Sequence, residues 1–400
     1  MKAALVLSFT VFSFLFITGF SSDNLSIYWE TQVNRAGLEL SEQSFCFEDE
    51  TGIYGQNIDQ VTKPASVSKL YTTLWAIERL GPDFRFQTNF NIVGDELYIS
   101  GGFDPYFVSE NIMLIMDTIS KSGIKKLSTI HFDSAFSYNW TNDSNKISKR
   151  LLKIFNTRHW DQLLKQTYHQ VNKHLKKNGK DQLVFSSFTV GRIAFSKTVI
   201  TNADLSFSFM SSPIVKHLKQ VNMYSNNFYT DAVFNYLGGE KNFNDYISEK
   251  LNTNSSEIYF YTGSGLGDNY TTCRLTLRML EELELTLSKL AIEKVKIMAV
   301  PGSDAGTMEK RFRGKFNKTI VAKTGTLNDT SAFSGYILNK VKTRFAVLNK
   351  TTPHADKTSV RILQDNIVKE YIRKNGGSNP VLYSPGDYIS IEDSRVSNLQ

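Results

Sequence analysis

One long apolar run stands near the start of the sequence, at residues 3–20, and no second one follows it. A membrane-spanning helix needs about 20 predominantly apolar residues, so a protein that crosses a bilayer through several helices is excluded. Cysteine is nearly absent. With only Cys46 and Cys273 in 400 residues, a small fold stapled by a disulfide framework is excluded, and no cysteine lies near the end of the apolar run to carry a lipid anchor. Export permits a disulfide between the two, but residues so far apart in sequence do not establish one, and two unlinked buried thiols fit equally well. Repeats and low-complexity tracts are missing too, which removes solenoid architectures from consideration.

What is present is a chain able to bury a large core. With 41% hydrophobic and 12% aromatic residues, it has material for one large domain or two. Lys2, the apolar run and the small residues Ser21 and Ser22, ahead of Asp23 and Asn24, have the layout of a secretory signal peptide. Residues 1–22 are therefore expected to be removed on export, leaving no membrane-spanning segment; an uncleaved anchor is the second reading. The net charge is +7, and residues 141–186 carry all of it: Lys146, Lys149, Arg150, Lys153, Arg158, Lys165, Lys173, Lys176, Lys177 and Lys180 stand against Asp143, Asp161 and Asp181. A solvated helical face explains the segment, and attraction to an anionic polymer such as cell wall is the sharper alternative. Nucleic acid is not an expected partner.

The chemistry centres on Pro64, Ala65, Ser66, Val67, Ser68, Lys69 and Leu70. From Ser66 the apolar residues Leu70, Leu74, Ile77 and Leu80 keep helical spacing as far as the stop at Gly81 and Pro82, so Ser66 is expected to open a helix. Ser66 and Lys69 then share one face, and a lysine that has lost its proton can draw the hydroxyl proton across a hydrogen bond. The helix N-terminus adds backbone N–H donors beside the hydroxyl. Taken alone, the pair fits an N-cap followed by a solvated lysine equally well.

Elsewhere, periodicity predicts strands at 43–48, 88–93, 96–100 and 126–132, with a turn at Thr51 and Gly52 into a further strand. Helices are expected at 24–35 and 110–122, one or two across 147–175, and others at 215–221, 227–237 and 276–287. Strands at 318–323, 332–338 and 344–348 and a closing helix at 359–374 complete a mixed α/β pattern. The expected organisation is a discontinuous catalytic domain from 23–82 and 213–375. An inserted domain at 83–212 carries the basic helices of 141–186, and a flexible tail follows at 376–400 after Gly376 and Gly377.

Two further motifs follow the first in order: Ser225, Asn226 and Asn227, then Lys323, Thr324 and Gly325 with Thr326 beside them. Each has a plain alternative, since Ser225 or Asn227 fits a helix cap and the lysine motif fits a polar turn between strands. Gly325, lacking a side chain, leaves room for a ligand lying along the backbone. Together the three motifs resemble the set found in class A β-lactamases and penicillin-binding proteins. Further stretches, namely 81–85, 97–105, 263–266, 306–307 and 322–327, make the chain resemble the D-alanyl-D-alanine carboxypeptidase and endopeptidase family of class C low-molecular-mass penicillin-binding proteins over most of 40–350. Two positions depart from that pattern, Thr262 and Gly267, and only 155 residues separate Lys69 from Ser225.

The resemblance implies a penicillin-binding-protein/β-lactamase-like transpeptidase fold, an antiparallel sheet flanked by helices, with the inserted domain between the first and second motifs. It implies catalytic roles for Ser66, Lys69, Ser225, Asn227 and Lys323, and substrate contacts from Thr324, Gly325 and Thr326, with no metal and no cofactor. Ser66 is the expected nucleophile, and its N–H and that of Thr326 form the oxyanion hole. Ser225 is expected to relay a proton between Lys69 and the leaving amine, Asn227 to bind Lys69 and the substrate amide, and Lys323 to attract a terminal carboxylate. Lys323 is also expected to depress the pKa of Lys69 as a second cation, in addition to burial. The implied activity is a penicillin-sensitive serine D,D-peptidase of the bacterial periplasm. Its expected partners are peptidoglycan and, as covalent inhibitors, β-lactams. A β-lactamase and a non-catalytic wall-binding homologue are the alternatives, and the choice between carboxypeptidase and endopeptidase stays open.

Overall fold

Two sheets, each of short strands, share out the apolar residues of the chain. The computed structural model describes residues 22–398 apart from 186, 197–199, 201, 339–341, 353, 387 and 389, so nearly all of the expected signal peptide lies outside the described residues. The strands are β1 (Gln43–Asp49), β2 (Gly52–Gln56), β3 (Gln87–Val93), β4 (Glu96–Ser100), β5 (Lys126–Phe132), β6 (Thr189–Phe195), β7 (Leu205–Met210), β8 (Ile320–Thr326), β9 (Thr330–Ile337), β10 (Thr343–Lys350) and β11 (Arg395–Asn398). The helices are α1 (Ser22–Arg35), α2 (Ser68–Leu80), α3 (Ser109–Lys121), α4 (Ser144–Phe155), α5 (Gln162–Lys177), α6 (Ile214–Tyr224), α7 (Asn227–Tyr236), α8 (Gly239–Lys250), α9 (Cys273–Lys289) and α10 (Lys357–Lys374).

The first sheet runs β2-β1-β10-β9-β8 and is antiparallel throughout. Both of its faces are covered. Alternation of side chains along a strand sends Val321, Ala332, Tyr336, Ala346 and Leu348 to the core shared with α2 and α9. It sends Ile320, Ala322, Phe333, Phe345 and Val347 to the core shared with α1 and α10. The same alternation places Lys323 and Gly325 on the α2 side and Thr324 and Thr326 on the other. β8 is an edge strand, hydrogen-bonded in the sheet only to β9; on its outer edge Ala322 N donates to Ala299 O at 3.0 Å, and the stretch beyond, 323–326, faces the site.

The second sheet runs β11-β7-β3-β4-β5-β6, with β5 parallel to both neighbours. Its core brings Phe90, Ile92, Leu97 and Ile130 together with Ile112 and Met116 of α3, Leu151 of α4 and Val171 of α5. The basic stretch expected as one or two helices is thus two, α4 and α5, with a tight turn at Thr157–His159 between them. β6, β7 and α8 are additions to the expected elements.

The tail corrects an expectation. Instead of lying loose after Gly377, it returns across the molecule: Asn379 N donates to Leu338 O at 3.0 Å, Val381 N donates to Lys318 O at 3.0 Å, and β11 pairs antiparallel with β7. Ile391 is buried, and β11 covers what would otherwise be the free edge of β7. The second sheet therefore draws on both 87–210 and the end of the chain.

Cys46 on β1 and Cys273 at the start of α9 form a disulfide that joins residues 227 apart in sequence. This decides the alternative left open by the sequence. A crosslink over so long a loop restricts the unfolded chain strongly, so reduction, or Cys46→Ser with Cys273→Ser, is expected to lower stability by about 2–4 kcal/mol. Urea unfolding with and without reductant measures this.

Candidate active site

The site is built where β8 runs against the turn that precedes α2. Ser66 sits in a single 3-10 turn, Ala65–Val67, and α2 begins at Ser68, so the regular helix starts two residues later than expected. Ala65 has φ 46°, a left-handed conformation that costs a non-glycine residue about 1–3 kcal/mol. Its surroundings enforce it. Ala65 is buried, and its carbonyl lies so near Gly265 that a Cβ there would come within 1.9 Å of the oxygen. Gly325 is equally constrained: a Cβ would fall 2.6 Å from Pro64 O and 2.9 Å from Ser66 N. The space attributed above to a ligand thus belongs to the Ser66 turn itself, and Gly325 is what lets β8 approach the nucleophile.

Lys69 is fully buried on the first turn of α2. Its Nζ lies 2.9 Å from Ser66 Oγ, 2.7 Å from Asn227 Oδ1 and 2.7 Å from Ser264 O. An ammonium has three protons to donate and all three acceptors are in place. A neutral amine still serves two of them and turns its lone pair to the third, Ser66, which alone has a proton to give. Burial lowers the Lys69 pKa to about 7, against an opposing pull from the Asp231 carboxylate. The expected second cause, Lys323, is not what sets the value; the mutual repulsion falls on Lys323, which burial and the neighbouring Lys69 charge hold well below the ordinary lysine range.

The acceptors of Lys69 are themselves held. Asp231 receives Ser264 N at 2.7 Å and Ser264 Oγ at 2.9 Å, fixing the carbonyl that faces Lys69. Asn269 Nδ2 donates to Ser68 Oγ at 3.0 Å and to Thr262 O at 2.7 Å, and its Oδ1 accepts from Tyr261 N. The loop of 261–269 is thereby tied to the nucleophile turn. Asp231, Ser264 and Asn269 were not among the expected site residues. One signal for Asp231 is its place four residues after Asn227, on the same face of α7.

The second motif divides its labour. Asn226 is the cap of α7, its Oδ1 accepting from Tyr229 N at 2.9 Å, which leaves Ser225 and Asn227 free to face the two lysines. Ser225, left-handed at φ 59° at the end of α6, accepts from Lys323 Nζ at 3.1 Å. Ser225 thus pairs with Lys323 here, not with Lys69 as the relay reading expects, because the left-handed turn at the end of α6 brings its hydroxyl to β8. Lys323 Nζ also donates to Thr324 O at 2.8 Å. Fully buried, Lys323 stands behind the cleft wall. Thr307, another residue absent from the expected set, joins the wall: its N donates to Met223 O at 3.0 Å, and its hydroxyl accepts from Thr324 Oγ1 at 3.2 Å.

These groups open into a cleft of about 340 Å³. Ser66, Ser225, Thr324, Gly325 and Thr326 line its reactive end, whereas Arg311, Arg361 and Gln364 line the other. Of the expected catalytic residues, Lys69, Asn227 and Lys323 are not part of this lining. Among the described residues, no group of three or more His, Cys, Asp or Glu side chains is placed to hold a metal.

The family model of the D-Ala-D-Ala carboxypeptidase 3 (S13) family matches residues 45–203 and 167–371. The chain belongs to this family. Among solved structures, this S13 chain is similar to the penicillin G-acylated Bd3459 predatory endopeptidase from Bdellovibrio bacteriovorus, in complex with immunity protein Bd3460. Identity is 26%, over 89% of this chain and 99% of that one, with a TM-score of 0.78. Penicillin-binding protein 4 (dacB) from Haemophilus influenzae shares the fold at 17% identity, over 86% of this chain and 99% of that one, with a TM-score of 0.60. The α/β fold of the penicillin-binding-protein type is therefore as expected.

Below its pKa, Lys69 holds the proton that must leave, so acylation of Ser66 is expected to fall about tenfold per pH unit below pH 7 and to level off above it. Asp231→Asn removes the charge that favours the ammonium, and should move that midpoint to lower pH; stopped-flow acylation at several pH values reads both. Gly325→Ala, by pushing β8 off the Ser66 turn, should slow acylation roughly a hundredfold or more.

Proposed function

We propose that this S13 peptidase is an exported, penicillin-sensitive serine D,D-peptidase that cleaves peptidoglycan stem peptides through a Ser66 acyl-enzyme. The observation that carries the reading is the Lys69 amine, 2.9 Å from Ser66 Oγ with a pKa near 7, which fits a general base at neutral pH. Ser66 Oγ attacks the carbonyl carbon of the penultimate D-Ala as its proton passes to Lys69 Nζ. The carbonyl oxygen, now anionic, is met by the N–H groups of Ser66 and Thr326, each donor of this kind being worth about 2.7–4 kcal/mol. The C–N bond then breaks, and the departing amine takes the proton that Lys69 received from Ser66, which leaves Lys69 neutral again. Water, deprotonated in turn by Lys69, resolves the ester.

The cleft suits the substrate's terminal carboxylate. Thr324 and Thr326 offer hydroxyls and Arg361 a cation, whereas the Arg311 guanidinium is already paired with Asp365 and Lys323 acts only from behind the wall. Bd3459, solved with penicillin G bound covalently and described as a peptidoglycan endopeptidase, supports extending both β-lactam acylation and a cross-link substrate to this chain. The disulfide favours an oxidising compartment, in keeping with the signal-like N-terminus and a periplasmic location.

Ser66→Ala is expected to abolish penicillin labelling, and Lys69→Arg to slow it severely although charge is kept, because a guanidinium cannot accept the proton. Intact-mass analysis shows the adduct, and a label on another serine would remove Ser66 as nucleophile. Digestion of purified sacculi separates the two activities: conversion of dimeric to monomeric muropeptides indicates endopeptidase, and release of free D-Ala alone indicates carboxypeptidase.

A further inference from the structure

Away from the cleft, the helical layer on the second sheet contains another cavity, of about 370 Å³, lined by Thr157, Arg158, Trp160, Tyr168, Phe185 and Ser187. Its walls are three aromatic rings in mutual contact. Centroid separations are 5.7 Å for Trp160 and Tyr168, 5.7 Å for Trp160 and Phe185, and 5.3 Å for Tyr168 and Phe185. The polar atoms of these rings are already committed to the protein: Trp160 Nε1 donates to Ile154 O at 2.6 Å and Tyr168 OH donates to Leu183 O at 2.7 Å. Ring surface is what remains for the cavity. All three side chains are half-buried, and Arg158 and Ser187 are exposed at the rim. The depression opens to solvent, so the faces of these rings that the protein does not cover are accessible to a ligand.

A cavity with apolar aromatic walls and a few polar groups at its edge is the usual form of a small-ligand site. A pyranose ring matches it, with C–H faces for the aromatic surface and a hydroxyl for exposed Ser187; the Thr157 hydroxyl is already held by Phe188 N at 3.0 Å. Charge narrows the class further. Arg158 is a cationic rim group, and the surrounding residues 141–186 hold ten basic against three acidic side chains, a field that favours an anion.

We propose that this cavity binds an acidic saccharide unit of a cell-wall glycan strand, with the sugar ring against Trp160, Tyr168 and Phe185 and its carboxylate at Arg158. The identification of the polymer rests on the peptidoglycan reading above. A muramic acid unit that has lost its peptide carries such a carboxylate. Occupation of the site would hold the enzyme on the glycan while the separate Ser66 cleft acts on peptides.

The test uses the full mature chain and the peptide-free disaccharide of N-acetylglucosamine and N-acetylmuramic acid, with binding read by calorimetry. Saturable binding is expected, with a dissociation constant on the order of 1 mM. Arg158→Gln is expected to weaken it about tenfold, as the loss of a charge-assisted hydrogen bond does, and Trp160→Ala to abolish it, with penicillin acylation at the wild-type rate in both. If Trp160→Ala loses acylation through misfolding, Phe185→Leu replaces it, keeping apolar volume while removing a ring face. The uncharged disaccharide of N-acetylglucosamine should bind more weakly than the acidic one. Absence of saturable binding, equal affinity for the two disaccharides, or unchanged binding in Arg158→Gln overturns the proposal. Failure of the wild-type chain to acylate with penicillin would overturn the peptidase reading instead, and the calorimetry would still stand.

Discussion

Everything at the reactive end of the molecule depends on keeping an amine dry beside a hydroxyl. A lysine in water holds its proton at neutral pH, and withdrawal from solvent is what brings the Lys69 pKa down to about 7. Burial of that kind is costly unless the polar hydrogens find partners, which is why Asn227 Oδ1 and Ser264 O are as necessary as Ser66 itself. Asp231 then sets a limit in the opposite direction. By orienting Ser264 it secures an acceptor for Lys69, and by its charge it opposes the lowering of the Lys69 pKa that burial causes.

The second constraint is backbone proximity. Two chain segments without side chains, Gly265 and Gly325, approach the Ala65 and Pro64 carbonyls from different directions and hold the nucleophile turn in a strained conformation. The sheet contributes directly to this. Because β8 is an edge strand, its outer face can lie along the Ser66 turn, while pairing with β9 through Lys323 and Ser334, Thr324 and Phe333 keeps it straight. The alternation along β8 does the rest: Lys323 goes inward to Ser225, and Thr324 and Thr326 go to the cleft.

Much of this could be read from the chain where the signal is local. Ser66 and Lys69 are one helical turn apart, and apolar periodicity after them identifies α2; β1, β3, β4, β5, β10 and α10 likewise announce themselves by alternation or helical spacing. β7 carries such a signal in Ser206, Phe207, Ser208 and Phe209, whereas β6, an edge strand containing Gly191 and Arg192 with a single buried position, does not. What stays hidden is long-range. The carbonyl of Ser264 has no side-chain signature, the left-handed turn at Ala65 comes from its neighbours' packing, and the Cys46–Cys273 bond and the course of the tail depend on elements brought together only by folding.

The tail shows how such long-range closure reaches the site. Asp304 is buried and accepts from Lys219 Nζ of α6 at 2.5 Å, from Val300 N at 2.7 Å, and from the hydroxyl of Tyr383, in the tail, at 2.5 Å. A carboxylate so placed cannot be left with a partner missing without a penalty of several kcal/mol, about 3–5 for a broken buried pair. Asp304 lies two residues before Gly306, whose missing side chain lets the loop pass against Met223 O, and Thr307 then bonds both Met223 and Thr324. Met223 is in turn two residues before Ser225. The chain end is thus joined through Tyr383 and Asp304 to both α6 and the Thr307 loop. The wall of the cleft opposite Ser66 is held from behind by residues that composition alone marks as loose.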